Sequence, residues 1–259
     1  MKVSNIALVL TSNSLYKNEF VRRLVEAKKD NISVIFELNF KHPKINYKQH
    51  YIRYFNMLRF KGIIYLVFLT FFTKIKVVLS NIFPEIGAFT LKQIAKQNNI
   101  HYIQVSNVNS PEFYSLLEQY NIKYIINSAN QIYKKQTLSK VKVLNRHTSL
   151  LPAYGGIYPV FWQLLHGNHK GGVTLHWIDD EIDKGRIAYQ KDMIIDPQKS
   201  LFWHYKVAFE ISLQLALKAI DDISMNIIIS KDLKGETSYF SWPSKKDIDN
   251  YFNNGNKIV

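Results

Sequence analysis

The chain contains no cysteine among its 259 residues. This absence excludes disulfide bonds, thiolate metal sites and a cysteine nucleophile, and it is compatible with a reducing compartment. The rest of the sequence also contains no pattern that implies a metal site. The amino end has neither the hydrophobic region nor the small-residue cleavage site of a signal peptide, so we expect a cytoplasmic protein.

Two nucleotide-binding motifs are also missing. The turn after the first apolar run reads Thr11-Ser12-Asn13-Ser14 and offers no glycine that would let a pyrophosphate approach the backbone. A Gly-x-x-x-x-Gly-Lys-Ser/Thr loop does not occur anywhere in the chain. The sequence therefore argues against NAD as the cofactor and gives no support to nucleoside triphosphate hydrolysis.

Acidic residues are absent between Lys41 and Ser80, although the whole chain has a formal charge of +14. This basic segment contains Lys41, Lys44, Lys48, Arg53, Arg59, Lys61, Lys74 and Lys76. Its apolar run, residues 62–73, is shorter than the roughly 20 residues that span a bilayer, so we expect no transmembrane helix. We expect two helices that pack one side on the core, with the lysines facing water. A peripheral membrane contact is the second interpretation, and a phosphate- or nucleic-acid-facing surface is the third.

The apolar content of 47% is sufficient for a full hydrophobic core. Short apolar or β-branched runs predict strands at 6–10, 32–37, 101–105, 122–126 and 141–144. Helical spacing covers 16–27 and 89–97, and Ser110-Pro111 opens a further helix. This alternation predicts an α/β fold with a mostly parallel sheet covered by helices, in which ligands bind at the carboxyl ends of the strands.

One polar stretch follows the last of these predicted strands. Asn145 and His147 are two residues apart, so on an extended backbone their side chains leave the same face. The stretch 145–152 reads Asn-Arg-His-Thr-Ser-Leu-Leu-Pro, and Asp183-Lys184-Gly185 follows a second predicted strand at 172–178. These residues resemble the signature of the folate-dependent formyltransferases, and the similarity continues through Tyr154, Gly155, Gly156, Pro159, Trp162, Gly167 and Gly172.

The resemblance implies the Rossmann-like formyltransferase fold, with helices on both faces of the sheet and a small carboxyl-terminal appendage. We expect a catalytic domain at 1–200 and, at 201–259, a helix followed by a short strand or hairpin. It also implies 10-formyltetrahydrofolate as the formyl donor. The family usually carries Arg where this chain has Gly155, which we expect to loosen the loop or to alter acceptor contacts.

The roles of three residues follow from the resemblance and from the chemistry of formyl transfer. The Asn145 carboxamide can donate to the oxyanion that forms on the formyl group. His147 can add a second donor when protonated. Asp183 would orient this imidazole, favour its protonated form and accept the proton of the attacking amine.

The resemblance also suggests binding residues. Asn130, Gln131 and Ile132 would form one wall of the pterin pocket, and the loop containing Asp180, Glu181 and Ile182 would form the other. Candidate acceptor contacts are Ser149, Tyr154, Tyr158 and Trp162, although the spacing of Tyr158, Phe161 and Trp162 also fits one buried helix face. We expect His166, His169 and His176, which match no signature position, to be surface or packing residues.

The sequence leaves open which amine accepts the formyl group. The carboxyl-terminal tail, residues 238–248, resembles endings of small bacterial formyltransferases, which favours a nucleotide-linked amino sugar, such as a dTDP-linked 4-amino-4,6-dideoxyhexose used for O-antigen or lipopolysaccharide. Methionyl-tRNA formyltransferases usually carry an additional tRNA-binding barrel, and glycinamide ribonucleotide formyltransferases are shorter than this chain. Formyltetrahydrofolate hydrolase and a nonenzymatic basic binding module remain alternatives. A nucleic-acid partner is not favoured, and the apolar residues after Leu201 could form a homodimer contact as easily as a core.

Overall fold

The computed structural model describes residues 5–11, 16–40 and 46–259. The predictions made for the amino end, for Ser12 to Ser14, and for Lys41 and Lys44 lie outside the described residues. Nine strands are numbered in chain order: β1 Ile6–Leu10, β2 Ile32–Leu38, β3 His101–Val105, β4 Tyr124–Ser128, β5 Lys142–His147, β6 Gly155–Gly156, β7 Lys170–Trp177, β8 Ile187–Ile194 and β9 Tyr239–Phe240. The α-helices of the described chain are α1 Lys17–Lys28, α2 Tyr47–Ile82, α3 Leu91–Gln97, α4 Pro111–Gln119, α5 Lys135–Leu138, α6 Pro159–Leu165, α7 Leu201–Ser224 and α8 Lys245–Asn253.

Seven strands form the main sheet in the order β3-β2-β1-β4-β5-β7-β8. The first five strands run parallel, and β7 and β8 are antiparallel to their neighbours. The strand order reverses between β1 and β4, which is where ligands bind in open sheets of this kind. The predicted α/β fold with a mostly parallel sheet is confirmed.

Two hydrophobic layers cover the sheet. On one face, α1, α3 and α7 bury residues such as Leu24, Ile94 and Ala216 against Leu8 and Leu144. On the other face, α4 packs Phe113 and Leu117 against strand residues that alternate with those of the first layer, such as Val9 and Val143. This period-2 alternation is the reason why each strand serves both layers.

The carboxyl-terminal segment is joined closely to this core. Helix α7 shares the core with α1, and of the short strand or hairpin that we expected the structure has the short strand β9, which pairs in parallel with β6. Ser244 caps α8, and the Tyr251 side chain of α8 stacks on Phe161 of α6. The division at residue 200 stays a prediction about domain organisation.

The basic segment forms two helical stretches, as we predicted, and both lie within the 36 residues of α2. They meet at a kink at Arg59, where φ is 51° and ψ is −175°. Within the described residues, the span Lys48–Ile82 is long and apolar enough to cross a membrane by length and composition. One side of α2 packs on the core, as predicted, through Met57 and Leu58 and partly through Ile63 and Leu66. Only 6% of its most apolar window is buried, however, so most of the apolar residues in that window are not covered by the protein. The cytoplasmic location stays a prediction.

Candidate active site

Strand register brings the polar side chains of the candidate site together at one end of the sheet. Asn145 in β5 lies opposite Asn127 in the parallel strand β4 and opposite His176 in the antiparallel strand β7. Two residues further along β5, His147 lies opposite Thr174. The side chains of Asn145 and His147 therefore leave the same face at the carboxyl end of β5, as strand alternation predicts.

Asp183 joins this group from the loop that follows β7. Its Oδ1 atom lies 3.6 Å from Nδ1 of His147 and 3.6 Å from Nε2 of His176. Its Oδ2 atom accepts a hydrogen bond of 2.7 Å from the backbone N–H of Gly156. Asp183 has a φ of 56°, a left-handed conformation that Asp adopts more readily than most residues. The loop thus holds a largely buried carboxylate between two imidazoles.

A network behind the site fixes the orientation of the Asn145 carboxamide. Asn127 Nδ2 donates to Asn145 Oδ1 over 2.8 Å, while Asn127 Oδ1 accepts from the Tyr133 hydroxyl and from the Ala129 backbone. With its oxygen engaged in this way, Asn145 must turn its NH₂ group toward the site. One of these N–H groups lies 3.2 Å from His176 Nε2, which leaves the other N–H for a ligand.

Burial of His147 disfavours the protonated form in which we expected the ring to act as a second donor. Burial lowers the pKa of His147, and the Arg146 guanidinium acts in the same direction, against the opposing influence of Asp183 and the Tyr154 carbonyl. The Nε2–H of the ring donates to the Tyr154 carbonyl over 2.8 Å. In the neutral ring the proton is therefore on Nε2, and the unprotonated Nδ1 faces Asp183.

His176 belongs to the same cluster, which the sequence did not indicate. We predicted a surface or packing residue, but His176 is buried beside Asn145 and Asp183. Burial lowers the pKa of His176 despite the nearby Asp183. Because the Asn145 amide donates to Nε2, the proton of the neutral ring is on Nδ1. His166 and His169, in contrast, are exposed, as predicted.

The two predicted walls of the pterin pocket are close to each other. Lys135, just beyond Asn130, Gln131 and Ile132, lies 2.6 Å from the Asp180 carboxylate in the opposite loop. Gln131 is occupied within its own wall, where it accepts from the Val108 N–H and donates to Asn107. The Ile132 and Ile182 side chains are exposed, as are Asp180 and Glu181, so these groups are accessible to a ligand.

A cavity of about 390 Å³ lies beside the 180–182 loop and reaches it at Asp180, whereas Glu181, Ile182 and residues 130–132 do not line it. Its size is within the range of small-molecule sites. Six of the eleven residues that line it are apolar and five are polar or charged, a mixture that suits a flat heterocycle with polar edges. Apart from Asp180, none of them was predicted as a site residue: Leu138, Val141, Lys142, Val143, Trp177, Ile178, Asp179, Arg186, Ile228 and Ser230.

Two of the four predicted acceptor contacts, Ser149 and Trp162, are hydrogen-bonded to backbone carbonyls of the protein, which corrects the prediction. The Ser149 hydroxyl is fully buried and donates to the Ala153 carbonyl over 2.7 Å. The buried Trp162 ring donates to the carbonyls of Ile157 and Ser241 and stacks on Phe240. The polar groups of both side chains are thus hydrogen-bonded within the loop and the tail.

Tyr154 and Tyr158 are only partly buried and remain candidate acceptor contacts. The Tyr154 hydroxyl accepts from Asn168 and contacts His166, whereas Tyr158 packs edge-on against Tyr54 and Trp242. Phe161 is fully buried, in agreement with the helix face suggested by the spacing.

The carboxyl-terminal tail lies directly beside the catalytic cluster. Strand β9 pairs with β6, and this pairing holds Gly156, whose N–H binds Asp183. A Cβ atom added at Gly156 would lie 2.1 Å from the Phe240 carbonyl oxygen, at a φ of +94°. Gly155 is paired in the same strand, so the loosened loop that we expected at this position is not observed.

Two cations lie on the opposite face of β5 without a carboxylate partner among the described residues. The Nε and Nη1 atoms of Arg146 are buried and have no hydrogen-bond partner there, and the guanidinium lies 4.1 Å above the Phe209 ring. Lys17 donates to the Thr11 hydroxyl, and burial, assisted by Arg146, lowers the pKa of Lys17 to about 7. Neither Asp nor Glu occurs at positions 1–4, 12–15 or 41–45. This arrangement suits an anionic ligand.

Comparison with known proteins agrees with this geometry. Residues 84–206 match the formyl transferase family. A methionyl-tRNA formyltransferase from Thermodesulfovibrio yellowstonii is 29% identical over 172 residues, which cover 65% of this chain and 56% of the relative. The chain spans about half the length of the curated relatives it matches.

Solved structures share the fold. An N-formyltransferase from Helicobacter canadensis, in complex with folinic acid and dTDP-3-aminofucose, has a TM-score of 0.59 at 18% identity and covers 96% of this chain and 80% of its own. Glycinamide ribonucleotide transformylase 1 from Symbiobacterium toebii has a TM-score of 0.60 at 13% identity, and the match covers 89% of this chain and 95% of that protein. Residues 84–206, the part of the chain that holds Asn145, His147 and Asp183 together on this fold, therefore match the formyl transferase family.

Proposed function

We propose that this protein transfers a formyl group from 10-formyltetrahydrofolate to the amino group of a nucleotide-linked amino sugar. A dTDP-linked 4-amino-4,6-dideoxyglucose used for surface polysaccharide is the acceptor that we favour. The proposal covers the donor, the acceptor and the roles of the site residues.

The observation that carries the proposal is a convergence of hydrogen-bond acceptors. Asp183 Oδ1 and the unprotonated His147 Nδ1 face each other at 3.6 Å, while His176 Nε2 accepts from Asn145. Two acceptors that face one another favour a ligand group that brings several N–H hydrogens, and a protonated amine is such a group. The site is therefore suited to binding an amine and removing its proton.

The reaction requires a proton acceptor and a donor to the oxygen that becomes negative. Asp183 takes the proton of the amine, and its Oδ2 stays fixed by the Gly156 N–H. As the amine nitrogen bonds to the formyl carbon, the bond from that carbon to the folate nitrogen would break. The proton taken from the amine would be returned to the departing nitrogen by Asp183 itself or by way of His147 Nδ1, which lies 3.6 Å from Asp183 Oδ1. The free N–H of Asn145, aimed by Asn127, stabilises the charge that develops on the formyl oxygen.

The cavity beside the 180–182 loop fits the folate donor. Apolar side chains such as Val143 and Ile178 would contact a flat ring, and the backbone and carboxylates of 179–182 would accept from its nitrogen atoms. When bound, the donor supplies the formyl carbon. The residues of this chain hold it in place, exclude water from it and direct its formyl group toward Asn145.

The buried cations support an acceptor amine that carries phosphate. Arg146 and Lys17 lack a carboxylate partner among the described residues, so a phosphate of the acceptor would supply the missing negative charge. A nucleotide sugar carries two such phosphates. The Helicobacter canadensis enzyme, which shares the fold, was solved with a dTDP-linked amino sugar, and this supports the same acceptor class.

A second candidate is methionyl-tRNA formyl transfer, because the sequence relatives are methionyl-tRNA formyltransferases. That acceptor also combines an amine with phosphates. The catalytic cluster serves both acceptors equally well, so the acceptor must be identified by experiment.

The test is incubation with 10-formyltetrahydrofolate and a panel of amines, followed by mass spectrometry. The panel contains dTDP- and UDP-linked amino sugars, glycinamide ribonucleotide and methionyl-tRNA. We expect a formylated nucleotide sugar. Formylation of methionyl-tRNA alone would replace our proposal with the second candidate.

The same assay tests whether the buried cations bind the phosphate of the acceptor. Arg146→Met should raise the KM of the phosphate-bearing acceptor at least about tenfold and leave the KM of the donor unchanged. A KM for the acceptor that does not change would show that Arg146 does not bind the phosphate.

A further inference from the structure

Helix α2 presents an apolar surface to solvent on its second half, after Arg59. We call this surface the outer face, formed by Ile64, Val67, Phe68, Phe71, Phe72, Ile75, Val78, Leu79 and Ile82, each of which is exposed. Exposures of 56% for Phe68 and 59% for Phe71 mean that these rings are in water. Contiguous apolar surface of this extent marks an interaction site.

In an ordinary surface helix the apolar side chains face the protein body, whereas in this half of α2 many of them face solvent. The residues covered by the protein body, including Gly62, Leu66 and Ser80, follow one helical stripe. At about 100° per residue, the outer face lies on the opposite side, and Lys74 and Lys76 lie on its two flanks. Lysines that flank an apolar stripe can place their ammonium groups among lipid headgroups while the stripe enters the bilayer.

Both ends of this half-helix are joined to the protein body. Near its start, Tyr65 stacks on Phe202 of α7, with ring centroids 5.6 Å apart. At its end, Gln93 donates to Ser80 Oγ and Asn81 Oδ1, each over 2.8 Å. A helix that crossed a bilayer would lose these contacts. The outer face can meet a membrane only when the helix lies flat on it.

The charge of the segment favours an anionic membrane over a second copy of the chain. Residues 38–84 contain eight Lys or Arg and no Asp or Glu. Two copies that met through this surface would bring Lys74 and Lys76 close to one another without an acidic partner from the segment. Anionic lipid headgroups supply the missing negative charge.

We propose that the outer face of α2 docks this protein on the surface of an anionic lipid bilayer. Helix α2 lies in the plane of the interface, its phenylalanine side chains enter the acyl region, and Lys61, Lys74 and Lys76 contact the headgroups. This proposal is independent of the proposed function, since it involves no residue of the catalytic cluster.

The test is sedimentation with vesicles of phosphatidylcholine alone or of phosphatidylcholine and phosphatidylglycerol in equal amounts. We expect the full chain to bind the anionic vesicles at least about tenfold more tightly than the neutral ones. Phe68→Ser combined with Phe71→Ser and Phe72→Ser should reduce binding at least about tenfold. Lys74→Gln with Lys76→Gln should remove most of the preference for anionic lipid, whereas Lys231→Gln with Lys234→Gln should not.

Because the chain has no cysteine, a single introduced thiol can be labelled at a chosen position, which allows a second test of membrane contact with only one residue changed. Phe71→Cys carries a single thiol, which can be labelled with a polarity-sensitive dye. We expect the dye at this position to shift to a nonpolar signal with anionic vesicles, while the same dye on Ile194→Cys, at an exposed site on β8, does not shift. An unchanged signal at 71, or a lipid-free dimer that the three Phe substitutions dissociate, would overturn the proposal.

Discussion

At the residue scale, Asp183 has the central position in the proposed chemistry. It contacts both imidazoles of the cluster and receives its only backbone hydrogen bond within the described structure from Gly156. We predict that Asp183→Asn and His147→Asn each reduce kcat at least about a hundredfold, because each removes a proton acceptor. Steady-state kinetics measures this, and circular dichroism and urea unfolding check that the fold is retained. Turnover close to that of the wild type in either variant would contradict the assignment.

Asn127 is a positioning residue that acts through Asn145. We predict that Asn127→Leu lowers kcat by about tenfold to a hundredfold with little change in KM, because the Asn145 carboxamide loses the donor that fixes its orientation. The control is Tyr133→Phe, which removes only the hydroxyl that donates to Asn127 Oδ1, and it should have a smaller effect. A KM that rises while kcat stays constant would indicate a binding role instead.

How far the site could be predicted differs from residue to residue. Asn145 and His147 follow from their spacing in a strand and from the family signature, and the structure places both beside Asp183. His176 was missed because Thr174-Leu175-His176-Trp177 has the pattern of an ordinary strand. Its proximity to Asn145 depends on the register of β5 against β7, which no local pattern specifies.

At the element scale, the pairing of β6 with β9 links the carboxyl-terminal tail to the catalytic cluster. We predict that Gly156→Ala lowers the free energy of unfolding by about 2–4 kcal/mol, because its Cβ would collide with the Phe240 carbonyl at a positive φ. Activity should fall as well, since the N–H that holds Asp183 would move. Urea unfolding and kinetics measure the two effects.

Gly167→Ala is the matched control for this substitution. Gly167 also has a positive φ, of +69°, but no heavy atom lies within 4 Å of the added Cβ. We expect a loss of about 1 kcal/mol from backbone strain alone and unchanged activity. Equal effects of the two substitutions would mean that contact with β9 is unimportant.

Six of the seven strands of the main sheet were predictable because their apolar and β-branched runs are short, whereas β8 was not predicted. Which side of helix α2 is exposed could not be predicted in this way. Its composition indicates a helix, but which side of a helix is covered depends on tertiary contacts such as those of Tyr65 with Phe202. The placement of β9 against β6 likewise joins segments more than eighty residues apart.

At the scale of the whole molecule, buried histidines make stability depend on pH. Burial lowers the pKa values of His147, His176 and His204 in the folded state. The unfolded chain therefore binds more protons than the folded chain once the pH falls below about 6.5. We predict that the free energy of unfolding is highest above this pH and decreases on acidification, by up to about 1.4 kcal/mol per pH unit for each histidine.

Urea unfolding at a series of pH values checks this prediction. His176→Gln should make the decrease less steep, because one proton-binding group is removed from the unfolded chain. Stability that rises as the pH falls through this range would show that the histidines are charged in the folded protein.

The central claim concerns the whole protein, since the cluster, the cavity and the buried cations must act together to move a formyl group onto an amine. The most direct measurement follows an isotope-labelled formyl group from 10-formyltetrahydrofolate in the presence and absence of a dTDP-linked amino sugar. We predict that the label appears as a formamide on the sugar amine, that its transfer requires the acceptor, and that Asp183→Asn abolishes most of it. Release of the label as formate at the same rate with or without the acceptor would contradict this account and indicate a hydrolase.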